Sequence, residues 1–274
     1  MSIPVLHYWM QTEVHVHAMA IAVSVLLAMV PFLIVMVSIC DHVLHWHVAA
    51  NAIYFALNDT FPDDIGNFIV RNLRATVAQR PFQIASVLLL LFTANGIFVP
   101  LEVALNRAWG CKENRSYLRN QLISLGLIFL CGSLFLAFII LTAFNSAFVS
   151  QLSGFSQFLS QLVGITLFKA AAVPVLMLML FFVYWLLPNR KVPVALSIQA
   201  AIGTGLVLEI IQIVNIATWP WLRRKMSLEY GPFAYSVTIV MYSFIAAMVV
   251  LAGADWMARR AAAQDAANDV ASPS

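Results

Sequence analysis

This sequence predicts an all-α fold, a polytopic membrane bundle of about six transmembrane helices, on three observations. Hydrophobic residues fill 62% of the 274 positions and charged residues 10%, against roughly 45–50% and roughly 25% in soluble domains. So few charges cannot cover a water-soluble core of this size. Uncharged runs such as Ala18–Cys40 and Phe82–Leu101 reach the roughly 20 residues that a membrane helix needs. The polar residues left inside such runs fall on narrow faces at about 100° per residue, the helical period.

Taken in chain order, the first span is about Ala18–Cys40. It is too long for a signal-peptide core and no lysine or arginine precedes it, so a retained helix is expected. The stretch "PDDIGNFIVRNLRATVAQRP" from Pro62 follows. Asp63 and Asp64 in a first turn, with arginines toward the end, complement a helix dipole. Ile65, Phe68, Ile69, Leu73 and Val77 make one face apolar, so an amphipathic helix lies at the outer boundary or packs on the bundle. The second and third spans are Phe82–Leu105 and Leu122–Phe148, and "SQLSGFSQFLSQL" (Ser150–Leu162) supplies a turn before the fourth, Thr166–Leu187. Pro188 and Pro193 bracket a tight connection to the fifth span, Val194–Trp219, and the sixth is Phe233–Met257. Residues 1–260 thus form a single six-span domain, and 261–274, "AAAQDAANDVASPS", a disordered cytoplasmic tail.

Lysine and arginine in the loops set the orientation. With the N-terminus inside, the inner segments hold Arg107, Lys112, Arg115, Arg119, Arg190, Lys191, Arg259 and Arg260, against Arg71, Arg74, Arg80, Arg223, Arg224 and Lys225 outside. Eight against six predicts both termini on the cytoplasmic side.

Three polar stripes interrupt the spans. Asn95, Val99, Glu102 and Asn106 share a face of the second, and a carboxylate there costs several kcal/mol if it faces lipid. Gly96 and Pro100 predict a kink in the same turns. In the fifth span Gly205, Glu209 and Gln212 share a face, with Asn215 further round and Lys169 of the fourth span as candidate counter-charge. Tyr235, Thr238 and Tyr242 give the last span a hydroxyl stripe, and Asp255 beside Arg259 reads as an interfacial ion pair. Each stripe is either part of a substrate path or a set of contacts that hold helices together.

The six histidines all precede residue 48, in "HVHA" and "CDHVLHWH" plus His7. The second group has ligand types suited to zinc or copper. A membrane span of roughly 35 Å separates the two groups, and no closed tetrahedral pattern appears. Three cysteines make no framework of pairs. With no phosphate loop, nucleophile elbow, zinc-protease or dinucleotide motif, no enzyme, cofactor or metal is expected.

"LEVALNRAWG…NRSYLRNQL" (Leu101–Leu122), "YWLLPNRKVP" (Tyr184–Pro193) and "YGPFAYSVTIVMYSFIAAMVVLAGADW" (Tyr230–Trp256) together resemble the YihY/BrkB family of bacterial inner-membrane proteins. The resemblance covers nearly the whole chain in order and spacing. Its Asn-x-x-Trp element falls on Asn106 and Trp109, its Tyr-Gly element on Tyr230–Gly231, and its closing Gly-Ala-acid element on Gly253–Ala254–Asp255, with Asp where Glu is commoner. A Trp usual in the last span is replaced around Met241–Tyr242. The family was formerly mislabelled ribonuclease BN. That nuclease chemistry needs His-x-His-x-Asp-His, whereas His15-Val16-His17 runs into Ala18 and Met19. The resemblance implies an inner-membrane role in envelope physiology, with transport as the expectation.

Two functions are open at this point. The first is a transporter or flippase for an anionic, amphipathic, lipid-like envelope component. Its path residues would be Asn95, Glu102, Asn106, Lys169, Glu209, Gln212, Tyr235 and Tyr242. The outer basic groups Arg71/Arg74 and Arg223/Arg224/Lys225, the latter beside Trp219 and Trp221, suit an anionic headgroup. The second is a non-transporting scaffold or envelope-assembly factor whose stripes are structural. Membrane lipids are the expected partners in both, and nucleic acid in neither.

Overall fold

A computed structural model describes residues 8–60, 64–79, 84–111, 117–151 and 173–271. Among them every regular element is helical: α1 (Thr12–Ser38), α2 (His47–Thr60), α3 (Asp64–Gln79), α4 (Ile84–Ala108), α5 (Tyr117–Gln151), α6 (Val173–Leu186), α7 (Val194–Tyr230) and α8 (Ala234–Ala271). The fold is an all-α membrane bundle. Among the described residues five helical stretches are long and apolar enough to cross a bilayer: Thr12–Val43, Val87–Ala108, Gln121–Phe138, Val194–Asn215 and Ala234–Asp265. The expected fourth span is described only from Val173, as the shorter apolar helix α6. The expected turn at Ser150–Leu162 lies almost wholly outside the described residues, as does Lys169.

Contacts divide the chain into two compact units, one of residues 1–27, 93–127 and 177–274, the other of 28–92 and 128–176. In the second unit, α1 ends in a π-helical turn, Ile39–Val43, and His45 adopts a left-handed φ of 50°, a conformation histidine tolerates better than most residues. That bend reverses the chain into α2, a helix the sequence reading did not anticipate, and α3 follows. Leu33, Met36 and Val37 of α1 and Cys40 of the π-turn close a core with Ile53, Tyr54 and Leu57 of α2 and Val70, Leu73 and Val77 of α3. The apolar face expected on α3 is therefore buried against protein, at Leu73 and Val77 and partly at Ile69. The Arg74 guanidinium lies 4.6 Å from the Tyr54 ring centroid.

In the first unit α7 and α8 pack along one another, joined by a 3-10 turn at Gly231–Phe233. Small residues dominate the buried positions, Ala200, Ala201 and Thr204 on α7, Ala247 and Ala254 on α8, because lipid supplies no hydrophobic drive and close backbone approach must replace it. Pro100 does not interrupt α4, which is continuous from Ile84 to Ala108. Gly96 has a different role from the loosening expected of it: a Cβ there would overlap the Ser24 side chain of α1, so glycine permits that approach. α8 continues to Ala271, into the segment expected as a disordered tail. Five of residues 261–268 are alanine, the best helix former.

Candidate functional site

The site is built from the end of α4. Gly110 takes a left-handed φ of 63°, its N–H donates to Arg107 O at 3.0 Å, and the Cys111 N–H reaches back to Asn106 O at 2.8 Å. These two bonds make a Schellman cap, with glycine where only glycine is unstrained. The cap fixes the last turn and with it the direction of Asn106, which is 4% exposed one turn beyond Glu102 at 5%. The Asn106 amide donates through Nδ2 to Glu102 Oε1 at 3.4 Å, while Asn106 Oδ1 accepts the Asn189 backbone N–H at 2.8 Å. Only one amide orientation satisfies both, since a backbone N–H needs the oxygen and a carboxylate needs the nitrogen. Glu102 thus orients the amide that holds the α6–α7 turn.

That turn is otherwise sealed by apolar packing: Leu187 and Pro188 are fully buried. Arg190 extends from it over the buried Trp109 ring, 5.1 Å from the centroid. At the same end Arg107 pairs with Glu13, and Arg259 with Asp255 as expected. Tyr8 is buried nearby, and burial, assisted by the Asp255 charge and opposed by Arg259 and Arg107, pushes its hydroxyl up to about 12.

A second polar contact joins α6, α7 and α8. The wholly buried Tyr184 hydroxyl donates to Val250 O at 2.8 Å and lies 2.9 Å from Thr204 Oγ1. With its proton committed to a carbonyl, which can only accept, the tyrosine oxygen is left to accept from threonine. Gly253 makes room for both groups, because a Cβ there would overlap Thr204 Oγ1 and the Tyr184 hydroxyl. The three stretches that carried the family resemblance therefore meet in one unit: Asn106 and Trp109, Tyr184 and Asn189, and Gly253 and Asp255.

The remaining expected path residues separate from this cluster. Asn95 is half-buried on α4. Glu209 is half-buried on α7. Tyr235 and Tyr242 are also half-buried. Gln212 does not share the interior position expected for it and is exposed. The packed face of α7 at its N-terminal end follows Ser197, Ala200, Ala201 and Thr204. Of the headgroup candidates, Arg71, Arg74, Trp221, Arg224 and Lys225 are exposed, and the Lys225 ammonium lies 5.6 Å from the Trp221 centroid. The Arg223 side chain lies outside what is described. Arg71 and Arg74 belong to one unit and the Trp221–Lys225 group to the other.

Among the described residues no three His, Cys, Asp or Glu side chains converge in a metal-holding group. His47 Nδ1 instead stands 2.5 Å from Asp41 Oδ1, and His15 Nδ1 is 3.0 Å from Gln11 O. Sequence reasoning missed Asn189, Tyr184 and Thr204. Their roles are tertiary, though the polar "PN" between two apolar spans was a usable sign of a turn needing an anchor.

A family model described as "Virulence factor BrkB" matches residues 5–273. A UPF0761 membrane protein of Acinetobacter baylyi is 26% identical over 246 residues, a match that covers 87% of this chain and 57% of that protein. The chain therefore spans little more than half the length of this curated relative. No solved structure matches.

Proposed function

Because this chain belongs to the BrkB family of membrane proteins, whose model matches residues 5–273, we propose that it moves an anionic, amphipathic, lipid-like envelope component across a bacterial inner membrane. One observation carries the reading. Glu209 sits inside the apolar window Val194–Asn215, half-buried rather than closed into the core. An intramembrane carboxylate is costly enough to mark a functional position unless a structural partner explains it. Glu102 has such an explanation in the amide it orients; for Glu209 none stands among the described residues, which do not include Lys169. The exposed cations and Trp221 at the far end of α7 supply the chemistry for an anionic headgroup.

The scaffold reading draws on a different observation, the sealed Glu102–Asn106–Asn189 tie, which stabilises a turn and offers no path. The two separate in proteoliposomes. Wild-type protein is expected to move labelled phosphatidylglycerol faster than protein-free vesicles do. Glu209→Gln should slow that movement by about tenfold, a barrier change of about 1.4 kcal/mol. Arg223→Gln combined with Arg224→Gln should slow it as well, with melting temperature unchanged. Wild-type vesicles that move no anionic lipid, with or without an ion gradient, leave the scaffold as the function.

Orientation is tested separately. With both termini cytoplasmic, membrane-impermeant thiol reagents should label cysteines placed at Asn67 and Lys225 from outside. Labelling at Glu113 instead inverts the arrangement.

A further inference from the structure

Trp109 is the last residue before the Gly110 cap and is 7% exposed. Its indole Nε1–H is buried and meets no hydrogen-bond acceptor among the described residues. Buried indoles ordinarily find one, as Trp9 does by donating to Met248 O at 3.2 Å, and a donor left unmade is costly. The Arg190 guanidinium lies over the same ring, and both Arg190 and Lys191 are exposed. The geometry is held from below, because Asn106 fixes the Asn189 N–H next to Arg190.

Position narrows the missing acceptor. Trp109 directly follows the span Val87–Ala108, and Arg190 lies between α6 and α7, so both stand where helices leave the apolar layer. Headgroups of anionic lipids populate that level. An orphaned neutral donor beside an exposed guanidinium calls for a group that only accepts, carries negative charge and offers several oxygens. Phosphate meets all three conditions, and the arginine fork matches it better than an ammonium would.

We propose that Trp109 and Arg190 bind the phosphodiester of an anionic lipid, the indole N–H donating to one oxygen and the guanidinium to others. This site stands at the opposite end of α7 from the Trp221–Lys225 group. It does not depend on transport, since a scaffold would use it equally to fix its position in the bilayer.

The test is equilibrium binding of water-soluble short-chain phosphatidylglycerol to the detergent-solubilised full chain, with phosphatidylcholine and inorganic phosphate as comparison ligands. Trp109→Phe keeps an aromatic face for the cation but removes the donor, and should weaken phosphatidylglycerol binding about fivefold. Arg190→Gln should weaken it about tenfold, and Arg190→Lys by an intermediate factor, because charge survives without the fork. Arg260 makes an equivalent exposed pair, 5.1 Å from the Trp256 centroid, and Arg260→Gln should leave binding within about twofold, since only diffuse charge is lost. Melting temperature checks the fold of each variant. Wild-type affinity in a stably folded Trp109→Phe overturns the site, because the N–H then makes no contribution to holding the ligand. An equal loss in Arg260→Gln overturns it in favour of diffuse surface charge. Inorganic phosphate binding with the Trp109 dependence, and phosphatidylglycerol binding without it, overturns the lipid and assigns the site to a free phosphate.

Discussion

Gly253→Leu is expected to prevent accumulation of folded protein, and Gly253→Ala to lower its melting temperature in detergent markedly. A methyl at 253 overlaps two atoms that have little freedom to move. Tyr184 is fixed by its bond to Val250 O and by Thr204, and its Cζ would stand 3.2 Å from the new carbon. Overpacking of this kind costs about 1–3 kcal/mol for a small group. Displacing the tyrosine also takes its buried hydroxyl from its acceptor, Val250 O, and from Thr204, about 1–3 kcal/mol more. Gly203→Ala is the matched control. A Cβ there meets nothing within 4 Å, and alanine is the better helix residue by about 0.5–1 kcal/mol. Thermal unfolding of both single variants, and of Gly253→Ala with Tyr184→Phe and Thr204→Ala, checks the mechanism. The triple variant should lose less stability than the three changes sum to, because the substituted groups share one space. Additive losses would mean that Gly253 matters for some other reason.

Asn106→Leu is expected to be the second most damaging change. Leucine keeps the branched shape and heavy-atom count of asparagine but is bulkier, so at this buried position the loss of polar partners adds to some overpacking. The Asn189 N–H forfeits its side-chain acceptor at 2.8 Å, and Glu102 loses the amide that donates to it. Leaving a buried donor unmade costs about 1–3 kcal/mol. The turn it anchors contains Arg190 and Lys191, so trypsin supplies a local reading. Cleavage after these residues should accelerate several-fold in Asn106→Leu, alongside a lower melting temperature. Glu102→Gln should do much less, since its amide oxygen still accepts from Asn106 Nδ2. A Glu102→Gln variant as trypsin-sensitive as Asn106→Leu would show that charge at 102, and not the orientation of the amide, holds the turn.

How much of this was legible in the sequence differs from one element to the next. The core of each expected span except the fourth is found within a long apolar helix, because twenty uncharged residues in a row have one stable solution in lipid. Helix ends were less legible. α7 runs past the expected Trp219 to Tyr230, and α1 begins at Thr12 and closes in a π-turn. Polar residues neither forbid a helix nor announce where it stops. α2 was missed altogether. His47–Thr60 mixes alanine, histidine and asparagine without membrane-grade hydropathy, and it is held by the core it shares with α1 and α3.

Periodicity correctly grouped Glu102 with Asn106, for residues four apart share a helix face whatever surrounds them. It grouped Gln212 with Glu209 by the same rule, yet one is exposed and the other half-buried. A face has an angular width, and the neighbouring helix decides where within it burial ends. The partner of Asn106 is 83 residues away, and Tyr184 bonds a carbonyl 66 residues away. By itself, then, the sequence determined the class of fold, the membrane as its solvent and which polar residues share a helix face. Composition, run length and helical period are local properties and need no knowledge of neighbours. Which carboxylate became a buried tie and which stayed half-open, and that Trp109 would meet Arg190, only the tertiary structure decided. Those outcomes depend on how helices distant in sequence approach, and that approach is set by small residues such as Gly96 and Gly253, whose significance appears only once the opposing atoms are in place.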